Sequence, residues 1–168
     1  MPDPREHARQ RNWLETILRY IPGFRGYLEK EYRRESDRLV RLWLVDRLRQ
    51  CRRVVDRLAR ELFDARSLLV LPQLDRIRNR LDTLMGRIEG AVAGYSGFFD
   101  YVRVSQELLD RVYEHDFSLM EEVENFAQKV ESWQPDTLGP EQISEALDQL
   151  EILDRRWEKR THILEGID

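Results

Sequence analysis

Apolar residues recur along this chain at spacings of three and four, the period of an α-helix. No stretch shows the alternation of a half-buried strand. Leu48, Cys51, Val55, Leu58 and Leu62 form the clearest seam, stepping three and four as in a heptad repeat. Upstream, Tyr32, Leu39 and Trp43 extend an apolar stripe with a shift of register. Leu74, Ile77, Leu81, Leu84, Ile88 and Ala91 make a second seam, and Leu109, Val112, Asp116, Leu119, Val123, Phe126, Val130 and Trp133 a third. A fourth runs through Ile143, Leu147, Leu150, Asp154, Trp157 and Leu164.

Breakers separate these seams. A first helix is predicted over 4–20, with Asp3 as cap and Pro4 in its first turn. Ile21-Pro22-Gly23 ends it. Neither Gly nor Pro occurs from Tyr27 to Leu71, which predicts a long second helix of about 40 residues, about 60 Å at 1.5 Å per residue. It either projects beyond its neighbours or bends near Leu62-Asp64. Pro72 opens a third helix that fades near Gly94, ahead of an aromatic turn, Tyr95-Ser96-Gly97-Phe98-Phe99. Ser105 caps a fourth, and the loop Gln134–Pro140 leads into a fifth. Short links favour antiparallel neighbours. The expected fold is therefore all-α, an antiparallel bundle of four to five helices forming a single domain over 1–168.

Composition narrows the class. Charged residues make up 36% of the chain and hydrophobic ones 41%, with 4 Trp, 6 Tyr and 6 Phe. That is too many core formers for a disordered chain. The longest apolar run, Leu68-Leu69-Val70-Leu71, is far below the roughly 20 residues of a membrane span. A lone cysteine, Cys51, allows neither a disulfide framework nor a zinc cluster of thiolates. On its seam it reads as a small buried hydrophobe. The polar start, Met1 to His7, lacks an apolar signal region and predicts a cytoplasmic location. Residues 1–80 carry 20 Lys+Arg against 12 Asp+Glu, and residues 81–168 carry 8 against 20. Since both halves lie on amphipathic helices, this split is expected to help specify how helices pair, within the chain or between copies. Arginine outnumbers lysine 25 to 3. A genome rich in G and C gives that bias, and so does a need for forked pairing with carboxylates or phosphates.

Candidate chemistry is sparse. The chain has no glycine-rich phosphate loop and no nucleophile elbow or zinc-protease motif. A ferritin-like bundle needs Glu-x-x-His pairs, and none of His7, His115 and His162 has a Glu three residues before it. Arg155 and Arg156 precede His162 at a spacing similar to that in some helical ribonuclease toxins, a match that chance supplies in an arginine-rich chain. Asp116, on a seam between Val112 and Leu119, is a candidate buried polar residue. It either faces solvent while Tyr113 and Phe117 pack, or pairs with an arginine of the basic half to fix register. Gly86, Gly90 and Gly94 repeat every four residues and suggest a close-packing face, filled by Trp133 or Phe98 or, failing that, by a second copy.

The segment Arg19–Arg34 interleaves aromatics with cations around a Pro-Gly turn. Phe24, Arg25, Tyr27, Lys30, Arg33 and Arg34 are its candidate interaction surface, suited to stacking bases or to an anionic membrane. Glu29, Glu31 and Glu35 interrupt the positive field, which disfavours nucleic acid. A corner packed by its own aromatics is the plainer account. The run from Ile21 through Leu39, with Gly94-Tyr95-Ser96-Gly97-Phe98-Phe99-Asp100, resembles an uncharacterised family of bacterial all-helical proteins. That family shares I-P-G-[YF]-x-G-Y-x-x-K-E-x-R-R-E-x-D and G-Y-x-G-F-F-D. The resemblance implies that both turns matter and supplies no mechanism.

The expected function is a non-catalytic scaffold, adaptor or oligomer-forming protein that works through protein–protein contact, with no cofactor and no metal. The alternative is a peripheral membrane-surface or nucleic-acid-associated protein using the basic N-terminal half. A ferritin-like metal-binding bundle is third.

Overall fold

Five α-helices form where the apolar periodicity places them: α1 (Pro4–Tyr20), α2 (Lys30–Asp64), α3 (Leu71–Glu89), α4 (Gln106–Glu131) and α5 (Pro140–Leu164). A 3-10 turn covers Gly97–Phe99, and the described residues contain no strand. The structure, a computed structural model, describes residues 4–91, 97–99 and 104–165. Asp3, Gly94, Tyr95, Ser96 and Asp100, which enter the cap, the glycine face and the aromatic turn, lie outside the described residues.

Local chemistry sets the helix ends. The Ser105 hydroxyl accepts the Leu108 N–H at 3.2 Å, satisfying one of the orphan donors of a helix start. Gln142 reaches back to accept the Gly139 N–H at 3.0 Å, half of a capping box, and Pro140 follows at the first helical position. Helix α2 has 35 residues and stops at Asp64, short of the expected run to Leu71. The Arg66 N–H donates to the Phe63 carbonyl at 3.0 Å and the Ser67 N–H to the Leu62 carbonyl at 2.9 Å. Arg66 itself has φ 57°. This pair of bonds closes a Schellman motif. Glycine usually takes the left-handed position there, so an arginine in it leaves no breaker to read in the sequence.

The helices build two compact units. One holds 1–43, 91–121 and 156–168; the other holds 44–90 and 122–155. No linker marks the division, because α2, α4 and α5 each contribute residues to both units.

In the second unit, Leu48, Cys51, Val55, Leu58 and Leu62 of α2 face Leu74, Ile77, Leu81, Leu84 and Ile88 of α3, all buried. Val123, Phe126, Val130 and Trp133 of α4 and Ile143, Leu150 and Leu153 of α5 complete that core. Helices α2 and α3 run antiparallel, as the pairs Arg49–Glu89 at 2.8 Å and Arg78–Asp56 at 3.3 Å require. The basic half meets the acidic half at Arg47, whose guanidinium grips both Glu124 oxygens at 2.8 and 3.1 Å and also reaches Glu131. These bonds push the Arg47 pKa further up and hold Glu124 below its usual value. Within the acidic half, Arg87 of α3 pairs with Asp154 of α5.

Three seam assignments differ in the structure. Tyr32, Leu39 and Trp43 are only half-buried. The inward line there runs through Arg33, Asp37, Val40 and Leu44, so charged residues occupy seam positions and the apolar stripe lies one residue off it. In α5, Leu147 and Asp154 are half-buried, and the buried line passes through Ala146, Leu150, Leu153, Trp157, Arg160 and Leu164. Gly86 and Gly90 are exposed. A Cβ at Gly86 would meet nothing within 4 Å, and one at Gly90 only the Gly86 carbonyl of its own helix. Neither Trp133 nor Phe98 fills the face at Gly86 and Gly90, so among the described residues it is not a packing groove. The sequence spacing put the glycines together, but the face they share is turned to solvent.

Candidate functional site

The charged seam positions converge in the first unit. Asp37 on α2, Asp116 on α4 and Arg160 on α5 meet beside Tyr27, in the turn that precedes α2. Their exposures are 2%, 0%, 3% and 0%. Arg160 Nε donates to Asp116 Oδ1 at 2.7 Å and Nη1 to Asp37 Oδ1 at 2.8 Å. Its Nη2 reaches the Tyr27 hydroxyl at 3.2 Å and Asp116 Oδ2 at 3.4 Å. The Tyr27 hydroxyl in turn donates to Asp116 Oδ2 in a short contact. On the outer side Arg41 Nε donates to Asp37 Oδ2 at 2.9 Å. Two carboxylates thus face two guanidiniums, and the cluster is neutral as a whole. Buried ionic groups persist only when paired and hydrogen-bonded.

The electrostatics follow from that geometry. Burial works against the Arg160 charge, but the Asp116 and Asp37 carboxylates more than offset it and hold its pKa well above the usual value. Burial, and then the Asp116 charge, push the Tyr27 phenol well above its usual range, so it stays protonated as a donor. The guanidinium of Arg160 also sits 5.3 Å from the centroid of Trp157, one turn earlier on α5, within cation–π range.

The turn that carries Tyr27 is held from every side. Tyr27 contacts the rings of Phe24, Phe98 and Tyr113 at centroid distances of 5.8, 5.6 and 5.4 Å. Its N–H donates to the Tyr113 hydroxyl at 2.7 Å, and its carbonyl accepts from Arg33 Nε at 2.7 Å. Arg33 also donates to the Phe98 carbonyl at 3.2 Å. Ser36 closes the turn through the Gly26 carbonyl at 2.7 Å. Gly26 has φ 79°, and a Cβ there would collide with the Tyr113 hydroxyl. Both facts restrict the position to glycine.

This corrects the candidate interaction surface. Phe24, Tyr27 and Arg33 are buried, and only Arg25, Lys30 and Arg34 face outward. Arg25 lies over the Tyr32 ring at 4.7 Å and Arg34 over Phe99 at 5.4 Å. The aromatics that would stack bases or enter a membrane are packed as a corner. For Asp116, the solvent-facing account fails, since the residue is fully buried. The ion-pair account holds, but its partner comes from α5 in the acidic half and not from the basic half. Arg160 was legible in principle: it falls on the step from Trp157 to Leu164. A hydrophobicity count passes over an arginine there.

Two further titratable groups, His115 and Cys51, carry little free chemistry. His115 Nε2 lies 2.8 Å from the Arg156 carbonyl, so that nitrogen bears the proton. Burial holds the His115 pKa below the usual imidazole value. The Cys51 thiol is pushed up to about 12 by burial, which makes it a poor nucleophile. Among the described residues, no three His, Cys, Asp or Glu side chains are placed to hold a metal ion. Among them, too, no helix is long and apolar enough to cross a membrane.

A second feature faces solvent. Helices α2 and α3 of the second unit enclose a groove of about 960 Å³, with Ala59, Phe63, Leu68, Leu71 and Pro72 in its wall. Phe63 is 66% exposed, Leu68 55% and the adjoining Leu69 79%. The clamp residues Tyr27, Asp37, Asp116 and Arg160 are not among those lining this groove.

Fold and site together define an all-α bundle protein with an ionic clamp sealed inside one unit and an apolar groove open on the other. No family model, curated protein or solved structure matches the chain.

Proposed function

We propose that this protein is a non-catalytic helical scaffold or adaptor that acts through protein–protein contact at the α2–α3 corner. The observation that carries this reading is the exposure of Phe63, Leu68 and Leu69 around an open groove. With roughly 200 Å² for a phenylalanine side chain, these three residues leave on the order of 300–400 Å² of apolar surface in water, the size of patch that marks functional surfaces on monomers. The clamp supports the same reading from the other side. Its titratable groups are satisfied by one another and shut away from solvent, as suits a device that fixes how three helices and a turn meet.

The test is affinity capture from the native host, with wild type compared against Phe63→Asp and against a control altered at Arg25, Lys30 and Arg34. Phe63 is mostly exposed, so the variant keeps its fold. The reading expects defined proteins to be captured by wild type and by the basic-turn control but lost with Phe63→Asp. Capture that survives Phe63→Asp and fails with the basic-turn control overturns it.

A further inference from the structure

We infer that the α2–α3 corner binds a second copy of this chain, as a two-fold antiparallel dimer across the C-terminal end of α2. This deepens the proposed function and rests on it, since it names the occupant of the same groove.

The argument is charge complementarity. At 100° per residue, Arg60, Phe63 and Asp64 share one face of α2, opposite buried Leu62. Arg60 and Asp64 carry opposite charges one turn apart. Arg60 Nε makes a long bond, 3.4 Å, to the Asp56 carbonyl of its own helix. Among the described residues Asp64 forms no ion pair. By contrast, the neighbouring charges are engaged: Arg52 with Asp82 at 2.5 Å, and Arg78 with Asp75 at 2.6 Å. The groove rim as a whole holds Arg52, Arg60 and Arg78 against Asp56, Asp64 and Asp75. A rim with no net charge does not select a polyanion, an acidic peptide or an anionic membrane. It is complementary to itself.

A two-fold axis that passes beside the exposed face of α2, level with residue 62, sets residue 60 of one copy opposite residue 64 of the other, twice. Each Phe63 then lies over its partner's groove, which has apolar walls in Ala59, Leu68 and Pro72. An isologous contact needs this property, that one patch supply both halves of every pair. The apolar area is modest against the roughly 1,200–2,000 Å² of a stable interface, so a weak, concentration-dependent dimer is expected. Its apolar centre would be supplied by Phe63.

Sedimentation equilibrium of the full chain from about 1 to 300 μM, the range of weak association, tests this. Wild type should show a monomer–dimer equilibrium that Phe63→Asp abolishes while its helical CD spectrum stays unchanged. Arg60→Asp alone and Asp64→Arg alone each set like charges together at two symmetric pairs. Each should weaken the dimer about tenfold or more. The double variant R60D/D64R should return to within about threefold of wild type, since it restores both pairs with reversed sign. A mixture of R60D with D64R should form heterodimers although neither variant dimerises well alone.

Wild type that is monomeric throughout the range overturns the inference. So does a dimer that Phe63→Asp leaves intact, or a double variant no better than the singles. Each of these outcomes leaves the Phe63-dependent capture experiment to decide the broader contact reading separately.

Discussion

Replacing Arg160 by methionine tests whether the buried clamp holds the first unit together. Methionine matches the stem of arginine in length, but it removes the guanidinium over Trp157 and every hydrogen bond that it makes to Asp116, Asp37 and Tyr27. Asp37 retains Arg41 at 2.9 Å. Asp116, fully buried, retains only the Tyr27 hydroxyl. Stripping one partner from a buried ion pair costs about 3–5 kcal/mol, a large share of the roughly 5–15 kcal/mol that separates folded from unfolded chains. In a chain of this size that corresponds to a fall in Tm of about 6–20 °C. Urea unfolding followed by circular dichroism measures the loss directly, as a lower midpoint at constant slope. Adding Asp116→Leu to Arg160→Met removes the stranded charge as well. The pair together should therefore cost at least about 1 kcal/mol less than the sum of the single changes. The reasoning is refuted if Arg160→Met alone costs under about 1 kcal/mol, or if the two changes add.

Further expectations concern backbone and protonation. Gly26→Ala, at positive φ and against the Tyr113 hydroxyl, should destabilise by about 2 kcal/mol or more. Gly86→Ala, in open space on a helix, should stabilise by about 0.5–1 kcal/mol; chemical denaturation of the two variants should show opposite signs. Arg66→Gly relieves a left-handed arginine at the end of α2 and should raise stability by about 0.5–1 kcal/mol, and an unchanged or lower midpoint would contradict the Schellman assignment. Burial lowers the His115 pKa in the folded state, so the unfolded chain binds its proton first as pH falls. That part of the stability is complete above about pH 6.5 and is lost below it. His115→Gln, which can still donate to the Arg156 carbonyl, should flatten the stability profile between about pH 7 and 5; equal slopes in that window would exclude a neutral buried His115.

The chain alone determined its helices. Periods of three and four, Ser105, Pro72 and Pro140 place five helices, because helix formation answers to local hydrogen bonding and to which positions are apolar. It also put Asp116 on a seam, where a carboxylate is out of place unless something answers it. What answers it lies 44 residues away in α5, at a seam step where a search for apolar residues passes over an arginine. Tyr27, Asp37 and Arg160 became a single site only when a turn and three helices met, since ionic partners are chosen by distance in space and a buried charge is stable only in that full arrangement. The same holds in reverse for the glycines and for Phe63. Sequence spacing put the glycines on one face, but only packing decides whether a face is covered, and this one is open. Phe63 reads as one more hydrophobic residue in a long amphipathic helix. The Schellman turn at Arg66, invisible to a search for glycine and proline, ends α2 beside it, and tertiary packing leaves the ring exposed on the rim of a groove.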